Sequence, residues 1–394
     1  HVQQRLHHHA PAKVHPHYDA HVIKPKRNPL HHGGGKKPQG RVRNETARGP
    51  QPRRGHPSAW HDEPGVTRNC TLALERTHVD RLSGAPRVAG LRSPCYDIGD
   101  RVVCLPAVYF ISPQKCGTTA MYEHLVRHPD IARKRADGKM VDKEPHFWSQ
   151  QLFDAHTTLE DFAERQSMSV KADKLVIDSS AGTMYSRWSE ECSTPALLRR
   201  FQPDAKVVAI LRNPVERTYS DYWFFAKRKN SGCYPPGGAS AQHFHLHISR
   251  ELELLSACIE DRGIDDCKYN RTFNSLGSDT CEDTGIPAGR AVVGMYEPFL
   301  QDWVEQLGAG AVFIAALEDY DAHHRRFLER LFRFLQLREL REHEWEGILK
   351  QASLHRTPPH EAMHPSTRRL LKDFFRPWNQ RLGHLVGGEW AWWD

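Results

Sequence analysis

Lys115, Cys116, Gly117, Thr118 and Thr119 bring a cation, a thiol, a glycine and two hydroxyls together within the stretch FISPQKCGTT. Such a set suits an anion: Gly117 permits close backbone approach, the threonines add donors and Lys115 adds a full positive charge. The triphosphate loop G-x-x-x-x-G-K-[ST] puts its lysine after the glycine and its hydroxyl on Mg²⁺. Here the lysine comes two residues before the glycine, which points to an anion handled without an obligatory metal. Cys116 invites a reading as nucleophile, but inside this turn it reads better as a small spacer.

Two further clusters extend the chemistry. In ILRNPVERTYSDYWFF, residues 210–225, Arg212 ends an apolar run and Ser220 follows on a helix. A guanidinium can grip a phosphate with two parallel N–H bonds and a serine can complete the cradle. Taken alone, the pair also fits an arginine capping a sheet and a serine facing solvent. Two anion sites on neighbouring strands, however, suit a nucleotide phosphorylated at both ends. In DKEPHFW, residues 142–148, Lys143, Glu144 and His146 sit beside proline and aromatic residues. Transfer of a charged group to a hydroxyl requires a base for the hydroxyl proton. Glu144 is the first candidate and His146 the second, against the plainer reading of a surface turn. Candidate contacts to the acceptor are Lys143 and, in DSSAGTMYSRWSE, Asp178 and Arg187, with Lys227, Arg228 and Lys229 read as a solvated face.

These residues need strands and helices to hold them. Apolar runs at 107–112, 174–178, 205–212 and 311–316 read as strands, the third nearly continuous, as a parallel strand buried on both faces should be. Helical spacing covers 118–127, 195–201, 215–229, 241–260, 298–307, 322–337 and 366–386. The alternation predicts an α/β fold, a P-loop-like three-layer sandwich with a central parallel sheet and its ligands at the strand C-terminal ends.

The basic balance belongs to one end. Residues 1–60 hold 12 Lys or Arg against Asp19 and Glu45, a net of +10, so the remainder carries −3 of the formal +7. Residues 1–90 therefore read as a basic His/Pro-rich disordered stem, with sharper alternatives of polyanion or metal binding. Residues 91–394 form the catalytic domain, and 230–290 is a cysteine-containing insertion. No nucleic-acid partner is expected. No run of 18 apolar residues occurs, and a chain without an initiator Met is expected to have had an N-terminal signal or membrane anchor. Nine cysteines and sequons at Asn44, Asn69 and Asn270 favour a secretory-pathway lumen. Cys258 and Cys267 are expected to pair locally, and eight cysteines other than Cys116 are available for pairing.

Together the three motifs resemble those of sulfotransferases that use 3'-phosphoadenosine 5'-phosphosulfate (PAPS), in the Golgi carbohydrate branch. The similarity runs from about Pro94 to the C-terminus through PCYDIGDRVVCLPAVYFISPQKCGTT, KEPHFW, LRNPVERTYSDYWFF and STRRLLKDFFRPWNQRLGHLVG, and leaves out the His-rich front. It implies that Lys115, Cys116, Gly117, Thr118 and Thr119 bind the 5'-phosphosulfate and that Arg212 and Ser220 bind the 3'-phosphate. KEPHFW resembles the KE-x-HFF segment of heparan sulfate 3-O-sulfotransferases, which assigns the base to Glu144. The resemblance further implies PAPS as co-substrate with no metal, a type II membrane or secreted protein of the Golgi lumen, and a sulfated glycosaminoglycan acceptor. The implied position is the 6-hydroxyl of N-acetylgalactosamine 4-sulfate in chondroitin or dermatan sulfate. One departure is LKQASLHRTPPHEAMHP, where heparan sulfotransferases carry a glycine- and lysine-rich loop over the cofactor; Arg356 is the candidate replacement. A heparan-type acceptor, a nucleotide kinase with an atypical loop and a non-catalytic glycosaminoglycan-binding protein stay open as rivals.

Overall fold

The chain is described by a computed structural model covering residues 82, 84–133, 143–149, 159–166, 174–189, 192–226, 239–270, 273, 289–350, 360–387 and 393. The strands are β1 (Cys95–Asp97), β2 (Val102–Cys104), β3 (Val108–Phe110), β4 (Ile177–Asp178), β5 (Arg187–Ser189), β6 (Cys192–Ser193), β7 (Lys206–Leu211) and β8 (Val312–Ala316). The helices are α1 (Thr118–Leu125), α2 (Leu159–Gln166), α3 (Thr194–Phe201), α4 (Pro214–Ala226), α5 (Ala241–Arg262) and α6 (Ile264–Lys268). They continue with α7 (Tyr296–Leu307), α8 (Leu317–Ala322), α9 (His324–Phe334), α10 (Glu342–Leu349) and α11 (Pro365–Val386).

The central sheet has the order β4-β3-β7-β8 and is parallel throughout. Its middle strands are apolar on both faces because helices cover both. Tyr109, Ile111, Val207, Ala209 and Leu211 enter one core cluster, and Val108, Phe110, Val208 and Ile210 enter the other. The alternation follows from the two-residue period of a strand. Each fully buried Val, Leu or Ile contributes about 1.5–3 kcal/mol. The first cluster packs under α3, α4, α5, α7 and α11, and the second under α1, α9 and α10. This is the three-layer α/β arrangement that the alternating pattern predicts.

The strand order also fixes where a ligand belongs. From β3 the chain moves to β4 on one side, and from β7 it moves to β8 on the other. The loops leaving these two adjacent strands diverge, opening a crevice beyond their C-terminal ends. Both phosphate-type motifs lie in those loops.

Helix boundaries follow local chemistry. Ser193 accepts the Ala196 N–H at 3.3 Å ahead of α3, and Ser240 accepts the His243 N–H at 3.1 Å ahead of α5. Helix α11 opens on Pro365 and closes at Gly387, whose φ of 94° lies in the left-handed region. The predicted insertion is not wholly peripheral: Phe244, Ile248, Leu252 and Leu255 of α5 are buried in the first cluster. The stem boundary also sits against the domain, since Leu82 is buried and the Val88 N–H donates to the Cys95 carbonyl at 2.8 Å.

Cys258 and Cys267 are disulfide-bonded as the spacing predicts, Cys95 and Cys104 tie the β1–β2 hairpin, and Cys192 is also disulfide-bonded. Cys116 is a buried free thiol. Among the described residues no helix is long and apolar enough to cross a membrane. The rest of the stem, Asn44, Asn69, the Lys227–Lys229 cluster and Arg356 lie outside the described residues.

Candidate active site

The first motif is built as strand, loop and helix. Ser112, at the end of β3, accepts the Ile210 N–H through Oγ at 2.7 Å and so stitches the loop's entry to β7. Gly117 caps α1 with φ 75° and ψ 13°, and this cap residue makes no side-chain hydrogen bond to the helix N-terminus. Its left-handed backbone favours glycine, and a Cβ here would fall 2.4 Å from Leu317 Cδ1 and displace the tip of that side chain. The helix N-terminus, the left-handed turn and the lysine form a donor set that suits a phosphosulfate.

Among the described residues only three non-glycines have positive φ: Lys115 (70°), His146 (53°) and Gln336 (56°). Two of these three are residues that the sequence singles out for chemistry. Such conformations cost about 1–3 kcal/mol and persist where the surroundings over-determine them.

The second motif meets the first at the crevice. Arg212, just past β7, donates through a guanidinium N–H to the Lys115 carbonyl at 3.4 Å. The Arg212 carbonyl in turn accepts from the Tyr296 hydroxyl at 2.7 Å. Asn213 accepts the Val215 N–H through Oδ1 at 3.0 Å and so starts α4, while its own N–H donates to Glu318 Oε1 at 2.8 Å. Leu317 and Glu318 at the start of α8 therefore prop both loops. Ser220 is buried in α4, at 3% exposure.

The third motif joins the first through Lys143. Its ammonium donates to Thr119 Oγ1 at 2.9 Å and also bonds Glu144 Oε1. His146 Nε2 lies 3.5 Å from Glu144 Oε2. Burial of the Glu144 carboxyl opposes its ionisation, yet hydrogen bonds from His146 and Lys143 and the charge of both prevail, so its pKa lies below the ordinary glutamate value. The His146 N–H donates to Ser180 Oγ at 2.9 Å, and Ser180 bonds Asp178 Oδ1 through its N–H at 2.8 Å and its hydroxyl at 2.5 Å. Asp178 is 2% exposed, so it supports the His146 turn from behind. Arg187 on β5 places its guanidinium over the Tyr269 ring, 5.2 Å from the centroid.

Cys116 is fully buried. Burial, outweighing the nearby Arg217 and Arg212 charges, pushes its thiol up to about 11, so it stays protonated at neutral pH. Behind it lies a network that sequence reading misses. Arg217, at 1% exposure, pairs with Asp221 at 3.9 Å and bonds the Arg290 carbonyl, and Arg290 reaches Asp221 at 3.7 Å. Glu251 of α5 accepts the Ala291 N–H at 2.6 Å, and burial pushes its carboxyl up to about 7. The available signal was an Arg and an Asp spaced i, i+4 inside a helix otherwise dense in apolar residues.

The fold and these loops gather cationic and hydroxyl side chains at the C-terminal edge of a parallel sheet. The sulfotransferase domain family matches residues 105–366, and the chain belongs to that family. Carbohydrate sulfotransferase 15 of Homo sapiens is 29% identical over 335 residues, covering 74% of this chain and 55% of that protein. The chain thus spans about half the length, 55%, of the human, rat and mouse carbohydrate sulfotransferase 15 proteins it matches. Heparan sulfate glucosamine 3-O-sulfotransferase 3B1 of Mus musculus is 21% identical over 306 residues, covering 73% of this chain and 65% of its own. Among solved structures, a sulfotransferase from Alicyclobacillus acidocaldarius superposes with a TM-score of 0.49 at 20% identity, covering 74% of this chain and 99% of that one.

Proposed function

We propose that the chain transfers a sulfuryl group from PAPS to a hydroxyl of a sulfated glycosaminoglycan, the 6-hydroxyl of N-acetylgalactosamine 4-sulfate in chondroitin or dermatan sulfate. The observation that carries this reading is the meeting of all three motifs at one crevice: Arg212 bonds the Lys115 carbonyl, and Lys143 bonds both Thr119 and Glu144. The acceptor class rests on the likeness to carbohydrate sulfotransferase 15.

PAPS supplies the activated sulfuryl group. Lys115, the first N–H groups of α1 and the Thr118 and Thr119 hydroxyls would hold its 5' end, with Arg212 and Ser220 at the 3' end. Glu144, kept ionised by Lys143 and His146, takes the acceptor hydroxyl's proton as the acceptor oxygen bonds sulfur. The bond from sulfur to the bridging phosphate oxygen breaks, and its electron pair stays on that oxygen. Lys115 and the loop amides stabilise the charge that develops there. The products are the sulfate ester and adenosine 3',5'-bisphosphate (PAP). Lys143 draws Thr119 and Glu144 together, so the anion loop and the base share one anchor. Disulfides at Cys95–Cys104 and Cys258–Cys267 support a lumenal, Golgi setting, with N-glycosylation at Asn270.

The test compares sulfate transfer from labelled PAPS to chondroitin 4-sulfate by the native chain and by Glu144→Gln. The variant is expected to bind PAP with unchanged affinity by calorimetry and to lose about 10²–10⁴-fold in kcat. Transfer at nearly the native rate would remove Glu144 from the role of base.

A further inference from the structure

At the end of the sheet opposite the crevice, three segments meet: the turn that follows α1, Lys174 just ahead of β4, and α10. Between them lies an open cavity of about 460 Å³, within the size range of small-ligand sites. Ile131 and Ile348, each 2% exposed, give it an apolar base.

Its polar lining is mostly cationic. Arg127, Arg133 and Lys174 stand against Glu344 as the one carboxylate among the lining residues, a net of +2 in a stretch, residues 61–394, whose formal charge is −3. That carboxylate is already engaged from outside the cavity, by Arg338 at 2.6 Å and Arg341 at 3.6 Å. Asp130, in the turn after α1, is likewise held by Arg92 at 2.8 Å and Arg338 at 3.6 Å. Arg127 spends two of its donors on the Glu123 carbonyl at 3.0 Å and the Gly347 carbonyl at 3.3 Å, which ties the wall formed by α1 to that formed by α10. Arg133 and Lys174 are exposed, and neither side chain has a hydrogen-bond or ion-pair partner among the described residues. His128 also lines the cavity; burial holds its imidazole below the ordinary 6.5, so it adds no charge at neutral pH. Two unengaged cations above an apolar base, with the neighbouring carboxylates taken by other arginines, suit a ligand that carries anions on a sugar-sized body.

We infer that this cavity is a second binding site for the sulfated polysaccharide, holding a sulfate or carboxylate of a sugar remote from the one that reacts. The inference rests on the glycan sulfotransferase reading above and deepens it by giving a long acceptor a second hold. Helix α1 separates the two sites: Thr118 and Thr119 begin it at the crevice, and Arg127 stands just past its end at the cavity. Its eight residues put those ends about 12 Å apart. A polymer can engage both places at once, and the second contact is then intramolecular, so it tightens binding without touching the reacting groups. A short acceptor seated in the crevice gains nothing from it.

The full chain, its Arg133→Ala/Lys174→Ala double variant and the charge-keeping Arg133→Lys/Lys174→Arg variant test this. The measurements are kcat and KM for polymeric chondroitin 4-sulfate and for its tetrasaccharide, and direct calorimetric affinity for the polymer and for PAP. The alanine pair is expected to raise the polymer's KM and weaken its binding about 10-fold, a change of about 1.4 kcal/mol, with kcat, PAP affinity and tetrasaccharide KM within about twofold of native. The charge-keeping pair is expected to match the native chain, and added salt to narrow the gap between native and alanine pair. An unchanged polymer KM and affinity in the alanine pair would overturn the inference. So would an equal rise in KM for polymer and tetrasaccharide, which would assign the two cations to the crevice. A native chain that transfers sulfate to neither acceptor would overturn the sulfotransferase reading instead, and the polymer affinities of native chain and alanine pair would then decide the second site by themselves.

Discussion

At the scale of single residues, the proposed chemistry turns on the Glu144 carboxylate, held between the Lys143 ammonium and the His146 imidazole. Lys143 and His146 keep Glu144 ionised although it is partly buried. With Glu144 as the proposed base the ionised form is the active one, so activity is expected to be lost as pH falls through the carboxyl's own pKa, which lies below the ordinary 4.5. Removing the Lys143 charge favours the protonated form and raises that pKa. Lys143→Ala is therefore expected to move the acid limb of the kcat profile to higher pH, toward the ordinary glutamate range. An acid limb that stays in place would break the link between Lys143 and the base. Cys116 belongs at this scale too, since a buried thiol pushed up to about 11 has no nucleophilic form at neutral pH.

At the scale of elements, the loop between β3 and α1 depends on contacts far away in sequence. Gly117 has a left-handed backbone and faces Leu317 at the start of α8. Gly117→Ala incurs the backbone strain, about 1–2 kcal/mol, and pushes the tip of the Leu317 side chain aside. PAP binding is expected to weaken by about 10-fold or more, read by calorimetry. Gly90→Ala is the control: its φ is 78° with nothing within 4 Å of a built Cβ, so it should lower stability without touching PAP affinity. Equal PAP affinity in the two variants would show that the packing on Leu317 does not shape the loop. The strand, loop and helix around FISPQKCGTT were legible because apolar periodicity and a glycine are local signals. The Leu317 and Glu318 props were not, because they lie some two hundred positions away and only the β7–β8 pairing brings them under the loop. The same holds for Arg290 and Glu251, whose burial beside Arg217 no local pattern announces. The β1–β2 hairpin and α10 escaped for another reason: their apolar repeats are too short to stand out, and in the hairpin a disulfide replaces a longer hydrophobic seam.

At the scale of the whole molecule, the four-stranded parallel sheet sets two divergent loops side by side, and the third motif closes on them through Lys143. The formal charge is uneven: the +10 of residues 1–60 stands apart from the −3 of the remainder, so the proposed acidic acceptor would be held by placed cations in the crevice rather than by the net charge of residues 61–394. The family match runs from Leu105 to residue 366 and does not include the basic front. The most direct measurement is incubation of the full chain with labelled PAPS and a panel of chondroitin, dermatan and heparan sulfates, followed by disaccharide mapping of the label. The account predicts label on the 6-hydroxyl of N-acetylgalactosamine 4-sulfate in chondroitin or dermatan sulfate; label on none of the glycans would contradict it.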